Sequence, residues 1–271
     1  MTVIVALMNR HCTVHASDSF ITEMQEDGTR KVKQSQRTKI VCVRHFRGAM
    51  SCWGLGDYAT RGWSTFEWLK KQAQGATEFP DPEEFARQMG KTLDERVSQM
   101  DFQDDLDAGI GIHFTAYERV SHYWIPELFL VTNYASSSYD SLRDDGVHVS
   151  RRTYHKIKEV PPLPEHGERE FRIAAKDHFL KRTVVFNNGD PSMFMPVAEA
   201  IAELIREIEK RGNLVNASEV GAYQRLARRP IEVVCAAQRD FARKGRRTVG
   251  GMVHDIAITP TGDYYSLSGD V

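Results

Sequence analysis

The chain opens with a pattern of apolar and polar positions that predicts a buried β-hairpin. Residues 1–8 form an apolar run rich in β-branched side chains, residues 9–12 suit a turn, and residues 13–19 return as a strand that ends in polar residues. Short apolar runs bounded by turn residues are typical of strands. Two more strands are predicted at residues 37–43 and 48–57, and the second of these ends in a glycine-rich turn.

The pattern then changes to the spacing of helices. A first helix is predicted from Trp63 to Gly75. A second begins near Asp81, whose side chain can cap the helix, with Pro82 in the first turn and Glu84 completing a capping-box arrangement. The apolar positions of this second helix share one face and predict packing against a sheet: Phe85, Met89, Leu93 and Val97.

The second half of the chain repeats both element types. Residues 109–117 and 126–132 predict a β-hairpin, and residues 190–212 predict a long helix. We expect Pro230 to open a further helix, because proline suits the first helical position. A terminal hairpin is predicted after the glycine pair at residues 250–251.

This order of elements predicts an α+β fold, a four-layer αββα sandwich in which two antiparallel sheets lie between helices. The 271 residues are ample for one large core. No internal repeat or second domain is visible, so we expect a single domain over residues 1–271. Residues 140–182 are the least regular part and include a proline-rich stretch, which predicts an insertion.

Charge and composition narrow the function. The formal net charge is −1, whereas domains that bind nucleic acid are usually distinctly basic, so we expect no nucleic-acid partner. No stretch approaches the roughly 18 apolar residues of a membrane span, which predicts no membrane partner and a cytoplasmic location. The four cysteines form no C-x-x-C pair, which favours reduced thiols over disulfides or a zinc site.

Two charged segments have competing interpretations. Residues 101–107 contain four aspartates, which would suit a hard metal ion, but they lack the glycine and terminal glutamate of a calcium loop. An acidic, solvated connection is favoured. Residues 151–158 are basic around Tyr154, which would suit single-stranded nucleic acid, but a protected edge strand is the simpler interpretation. We therefore expect neither a metal nor another cofactor.

The strongest candidate chemistry lies at the start of the chain. Thr2 follows the initiator methionine, and its small side chain generally permits removal of Met1, which leaves a hydroxyl and a free α-amine on one residue. Such a residue is a nucleophile that carries its own base. The hairpin returns Asp18 beside the start of the first strand, and Lys39 heads another apolar strand.

These residues resemble the proteasome-type branch of the N-terminal-nucleophile (Ntn) hydrolases, which includes proteasome β subunits and simpler bacterial homologues. In that family a Thr opens the mature chain, an Ala-x-Asp-Ser motif ends the second strand, and a Lys begins the third-strand region. Thr2, residues 16–19 and Lys39 match in type and order. Lys39 comes several residues late, which predicts a longer hairpin across residues 23–35. Gly54 resembles the glycine whose N–H would stabilise the oxyanion.

A weaker match lies near the C-terminus. The family has Arg-Asp, a short spacer, a Ser and a glycine pair. Here Arg239 and Asp240 match, but the spacer is longer and Val249 stands in place of the Ser. The resemblance implies Asp240 as a helper residue. The family's other accessory Ser should precede the long helix, where only Ser192 is available.

The resemblance implies a threonine-type amide hydrolase, such as a proteasome-like peptidase. Thr2 Oγ would attack an amide carbonyl and the α-amine would take its proton. The Lys39 cation, held by Asp18, would lower the pKa of that amine. We expect Lys39→Ala to lower turnover far more than stability, because the role is electrostatic.

Two alternatives stay open: a catalytically inactive scaffold or assembly protein of the same fold, and an acylase acting on small amides. The substrate is accordingly a peptide or a small amide. The resemblance also implies a closed homo-oligomer, with an unfoldase or regulatory partner left open. Four tryptophans could supply apolar surface for a subunit interface: Trp53, Trp63, Trp68 and Trp124.

Overall fold

The protein is a mixed α/β structure built on two five-stranded antiparallel sheets. Its computed structural model describes residues 3–24, 30–34, 37–58, 61–100, 108–120, 122–135, 141–151, 183–189, 194–210, 219–242 and 249–267. Thr2, Ser192, the acidic segment at 101–107 and most of the predicted insertion lie outside the described residues.

The strands and helices follow one another in groups. The first strands are β1 (Ile4–Met8), β2 (Thr13–Asp18), β3 (Phe20–Met24), β4 (Arg30–Gln34), β5 (Ile40–Val43), β6 (Gly48–Gly54), β7 (Asp57–Tyr58) and β8 (Trp63–Ser64). Two helices come next, α1 (Thr65–Gly75) and α2 (Pro82–Val97). The remaining elements are β9 (Ile110–Val120), β10 (Tyr123–Thr132), β11 (His148–Arg151), β12 (Val184–Asn188), α3 (Phe194–Lys210), α4 (Val220–Phe241), β13 (Val253–Ile258) and β14 (Tyr264–Tyr265).

The first sheet has the order β12-β1-β2-β13-β14, so the two ends of the chain meet in it. The predicted β1–β2 hairpin forms, with Ile4 opposite Ser17 and Met8 opposite Thr13. Its turn is held by Asn9, whose Oδ1 accepts the N–H groups of His11 at 2.8 Å and Cys12 at 3.0 Å. Asparagine favours such turns because its side chain satisfies the backbone of the next residues.

The second sheet has the order β11-β10-β9-β6-β5 and carries α1 and α2 on one face. Helix α2 begins as predicted, since Asp81 Oδ1 accepts the N–H of Glu84 at 2.8 Å. Its apolar face is buried against the sheet through Phe85, Met89 and Leu93. Of the basic segment at 151–158, only Arg151 lies within the described residues, and it ends β11, an edge strand of this sheet.

Helices α3 and α4 cover the outer face of the first sheet. The prediction that Pro230 opens a helix is wrong, because α4 begins at Val220 and Pro230 lies buried in its interior. An interior proline removes one helical hydrogen bond and crowds the preceding turn. Here Tyr223, Ala227 and Ile231 form a continuous buried face on either side of it, so packing against the sheet outweighs that cost.

The two sheets pack face to face, which gives the order helices, sheet, sheet, helices. Apolar side chains from both sheets meet in this layer, including Ile40, Ala49, Tyr117, Ile256 and Ile258. A small third sheet, β4-β3-β7-β8, lies to one side, and its β3–β4 hairpin corresponds to the longer hairpin predicted across residues 23–35. Among the described residues, no helix is both long enough and apolar enough to cross a membrane.

Candidate active site

Asp18 is the last residue of β2 and its side chain is completely buried. Its Oδ1 accepts hydrogen bonds from Lys39 Nζ at 2.7 Å and from the Val3 N–H at 3.2 Å. Its Oδ2 accepts from the Gly250 N–H at 3.2 Å. A buried carboxylate needs such donors because it has lost its water. Asp18 therefore joins the start of β1, the approach to β5 and the turn before β13.

Lys39 lies immediately before β5 and is only 5% exposed. The turn that places it includes Thr38, whose hydroxyl accepts the N–H of Ile40 at 3.1 Å. Because Lys39 precedes a strand of the second sheet and Asp18 ends a strand of the first, their ion pair connects the two sheets. Such a pair holds a cation at a defined place beside the first residues of β1.

Gly54 ends β6 in a conformation that favours glycine, with φ of +86°. A Cβ at this position would lie 2.2 Å from the carbonyl oxygen of Gly109 and 3.0 Å from the hydroxyl oxygen of Tyr134. The next residue, Leu55, donates its N–H to the Gly109 carbonyl at 2.8 Å. Conformation and crowding together therefore require a glycine at position 54.

A pocket lies between Lys39 and Gly54. Its walls are mainly apolar and include Ile21, Cys52, Trp53, Leu55 and Phe66. One carboxylate, that of Asp57, also lines it. The pocket thus gives a bound group a mainly apolar surface directly beside the Asp18–Lys39 pair.

The glycine pair after α4 fixes the other side of Asp18. Gly250 accepts the Ser19 N–H through its carbonyl at 3.2 Å, and Ser19 Oγ accepts the N–H of Met252 at 2.9 Å. Gly251 has φ of +79°, and a Cβ there would lie 2.2 Å from Ser19 Oγ. This turn can approach Asp18 and Ser19 closely because it has no side chains. The sequence pointed to the glycine pair but not to its hydrogen bond with Asp18.

Some of the predicted site residues lie close together in the structure, and others do not. Lys39 and Gly54 line one pocket, and Asp18 is paired with Lys39. Asp240 is exposed at the end of α4, where its carboxylate accepts a hydrogen bond from Arg239 Nε at 3.0 Å. No contact within the described parts of the chain connects Asp240 with Asp18 or Lys39. Thr2 lies outside the described residues, and so does Ser192.

A thiol also lines the pocket, but it is a poor nucleophile. Burial raises the pKa of Cys52 to about 12, with the Lys39 cation opposing the shift and the Asp57 carboxylate adding to it. A thiol with such a pKa is protonated at neutral pH, and only the thiolate attacks carbonyl carbon efficiently. The chemistry of the pocket therefore does not centre on Cys52.

A histidine–serine contact is buried between the two sheets. His15 Nδ1 is 2.8 Å from Ser51 Oγ, and His15 Nε2 is 2.8 Å from Thr115 Oγ1. All three side chains are buried, and burial lowers the pKa of His15 to about 3. The neutral imidazole therefore connects the sheets, and Ser51 has no access to a substrate.

The four cysteines are free thiols, two of them buried. In the portion that the structure describes, no three His, Cys, Asp or Glu side chains converge as metal ligands would. The chain matches none of the family models and none of the curated proteins with which it was compared.

Proposed function

We propose that this protein is a threonine-type amide hydrolase of the Ntn class, with a four-layer αββα fold and Thr2 as its nucleophile. One observation carries the proposal. A single buried oxygen, Asp18 Oδ1, accepts hydrogen bonds both from Lys39 Nζ at 2.7 Å and from the Val3 N–H at 3.2 Å. That N–H belongs to the peptide bond that joins Val3 to Thr2.

The hydrogen bond between the Val3 N–H and Asp18 lies next to residue 2 along the chain. Residue 2 begins one covalent bond beyond the Val3 N–H, and the same carboxylate oxygen positions the Lys39 cation. A terminal amine and hydroxyl on residue 2 would consequently lie in the field of Lys39. A neighbouring cation disfavours the charged form of an amine and lowers its pKa. An α-amine has an unperturbed pKa of about 7.7–8.0, so a small decrease makes it a neutral base at pH 7.

The proposed reaction proceeds through an ester on Thr2. Thr2 Oγ forms a bond to the amide carbonyl carbon while its proton passes to the α-amine. The carbon–nitrogen bond of the amide then breaks, and the leaving amine takes that proton from the α-amine. Water adds to the resulting ester and releases the acid, which restores the Thr2 hydroxyl and the free α-amine.

Gly54 supports the proposal as the source of an oxyanion donor. It borders the same pocket as Lys39, and its backbone is fixed by the positive φ and the close approach of Gly109. A fixed backbone N–H stabilises a developing negative charge without reorganising during the reaction. The loss of one such donor typically costs roughly 10²–10³ in rate.

The pocket favours a hydrolase over an inert scaffold of the same fold. A pocket with mainly apolar walls and a few polar groups lies beside the ion pair, and small-molecule sites are typically lined in this way. The ion pair alone would suit a scaffold too, because it connects the two sheets. The pocket beside it is what favours the hydrolase. Peptides and small amides both present the carbonyl group that this arrangement would attack.

The test compares three variants on a fluorogenic peptide amide. Thr2→Ala should abolish hydrolysis, because it removes the hydroxyl while leaving the α-amine. Thr2→Ser should keep measurable turnover, because it retains both groups. Thr77→Ala is the matched control, since Thr77 is exposed in the turn after α1. Turnover by Thr2→Ala at the wild-type rate would refute the proposal.

A further inference from the structure

The turn that contacts Asp18 from the C-terminal part of the chain has no polar side chains of its own. Gly250 and Gly251 have no side chain, and Val249 before them is apolar and buried. The Gly250 N–H nevertheless donates to Asp18 Oδ2 at 3.2 Å. Glycine has more conformational freedom than other residues, so the position of this donor depends on contacts from neighbouring elements.

Gln238 provides such a contact from helix α4. Its Oε1 accepts the N–H of Val249 at 2.9 Å, and both residues are buried. The next N–H along the chain is that of Gly250, which is the donor to Asp18. The hydrogen bond of Gln238 therefore fixes the backbone one residue before that donor.

Helix geometry explains why this contact comes from Gln238 and not from Asp240, the helper residue expected from the sequence. Successive residues of an α-helix are rotated by about 100°, so positions 238 and 240 point about 200° apart. Gln238 continues the buried face formed by Ile231 and Val234, whereas Asp240 is exposed. The side of α4 that faces the turn thus carries an amide and not a carboxylate.

The end of α4 also lies within electrostatic range of the Asp18–Lys39 pair. Burial raises the pKa of the Cys235 thiol to about 12, and Asp18 adds to this shift while Lys39 opposes it. Cys235 lies about one helical turn before Gln238. Because a thiol with this pKa is protonated at neutral pH, Cys235 adds no charge beside the pair.

We infer that Gln238 is a positioning residue of the proposed active site, and that it acts through the backbone of Val249 and Gly250 on Asp18. This inference rests on the proposed function, since it concerns the α-amine that Thr2 would use as a base. The Gly250 N–H partly neutralises the Asp18 carboxylate. If that donor moved away, the carboxylate would favour the protonated amine more strongly and raise its pKa.

The experiment replaces Gln238 by methionine, which has a similar length and shape but no acceptor oxygen. Gln238→Asn is a second variant, which keeps the amide but shortens the side chain by one methylene. Ile231→Val is the matched control, because it changes the same buried face of α4 without touching the turn. Urea denaturation measures folding, and kcat and KM for a fluorogenic peptide amide are measured across the pH range in which an α-amine titrates.

We expect both Gln238 variants to lower kcat at pH 7 by up to about 100-fold, as small displacements at an active site can do. KM should stay unchanged, because Gln238 is not among the described residues that line the pocket. The acid limb of kcat/KM should move to higher pH, because it reports the pKa of the base in the free enzyme. Ile231→Val should lower stability but keep the wild-type kcat and pH profile.

The contrary results separate this inference from the proposed function. An unchanged kcat or an unchanged acid limb in a folded Gln238 variant would overturn the inference and leave the proposed function intact. Loss of folding in both Gln238 variants would also overturn it, because the role of Gln238 would then be structural only. A wild type without turnover, or Thr2→Ala that hydrolyses at the wild-type rate, would overturn the proposed function and this inference together.

Discussion

Asp18 carries a negative charge that is completely buried and is surrounded by three donors. A buried ion pair is often no better for stability than an apolar pair of the same size, because both charges have lost their water. Removing one partner alone is much worse, since the other charge stays buried without compensation. The Asp18–Lys39 pair should therefore show strong coupling between its two members.

This burial changes the expectation for Lys39 alone. We now expect Lys39→Met to lower the free energy of unfolding by about 3–5 kcal/mol, because it leaves Asp18 charged and unpaired. The double variant Asp18→Asn with Lys39→Met should recover most of that stability. It should not recover hydrolysis at neutral pH, because the cation is still absent. Urea denaturation and turnover of both variants measure the two effects separately.

Lys91→Met, on the exposed side of α2, should change stability by less than about 0.5 kcal/mol. If the double variant were no more stable than Lys39→Met, the pair would not be coupled. Recovered turnover in the double variant would show that the Lys39 cation has no role in the reaction.

The sequence identified Asp18 and Lys39 because their types and order match a known pattern, and their contact depends on one hairpin and one strand start. It could not identify the third donor, since Gly250 lies 232 positions from Asp18 along the chain.

At the level of elements, the backbone at the end of β6 is constrained at Gly54 by a positive φ and by the close approach of Gly109. Gly54→Ala should lower the free energy of unfolding by about 1–3 kcal/mol, because of the positive φ alone. The added Cβ would also press on the Gly109 carbonyl oxygen, which belongs to the backbone and cannot move by itself. The backbone of residue 54 must then shift, and we expect hydrolysis to fall more than stability.

Gly75→Ala provides the matched comparison. Gly75 ends α1, and a Cβ there would meet nothing within 4 Å. That substitution should be neutral or stabilising by up to about 1 kcal/mol, since it only reduces the freedom of the unfolded chain. If thermal unfolding showed the same shift for both variants, the structural role of Gly54 would be contradicted.

Local sequence patterns predicted some helices and strands correctly and failed for others. Helix α2 was predictable from the cap at Asp81 because capping acts within four residues. The helix start predicted at Pro230 was wrong, because the local preference of proline for a helix start is overridden by the packing of α4 on the first sheet. Strands β7 and β8 have only two residues each, too few for an alternating pattern to appear in the sequence.

For the whole molecule, His15 makes the packing of the two sheets sensitive to acid. The folded pKa is about 3, and the unfolded value is near 6.5. Below pH 6.5 the unfolded chain therefore binds a proton that the folded protein does not, and stability falls as the pH falls. Between pH 7 and pH 5 this residue should remove about 2 kcal/mol from the free energy of unfolding.

Urea denaturation at the two pH values tests this expectation. His15→Gln should lose about 2 kcal/mol less between pH 7 and pH 5 than the wild type does. His148→Gln, at an exposed position on β11, should retain the wild-type pH dependence. Equal acid sensitivity in the wild type and His15→Gln would show that His15 does not set it.

The structure removes one argument for assembly. Trp53, Trp63 and Trp68 are each less than a tenth exposed within the single chain. The fourth, Trp124, lies under the guanidinium of Arg47, at 3.9 Å from the ring centroid. These side chains leave little aromatic surface to cover, so the expectation of a homo-oligomer rests on the resemblance alone.

At the scale of the whole molecule, the proposed function requires Thr2 to carry a free amine and a reactive hydroxyl beside Asp18 and Lys39. Mass spectrometry after treatment with an electrophile that requires both groups on one residue tests this most directly. We predict an intact mass for a chain that begins at Thr2, with one adduct that maps to Thr2 and is absent from Thr2→Ala. A chain that retains Met1, or equal labelling of the wild type and Thr2→Ala, would contradict the claim.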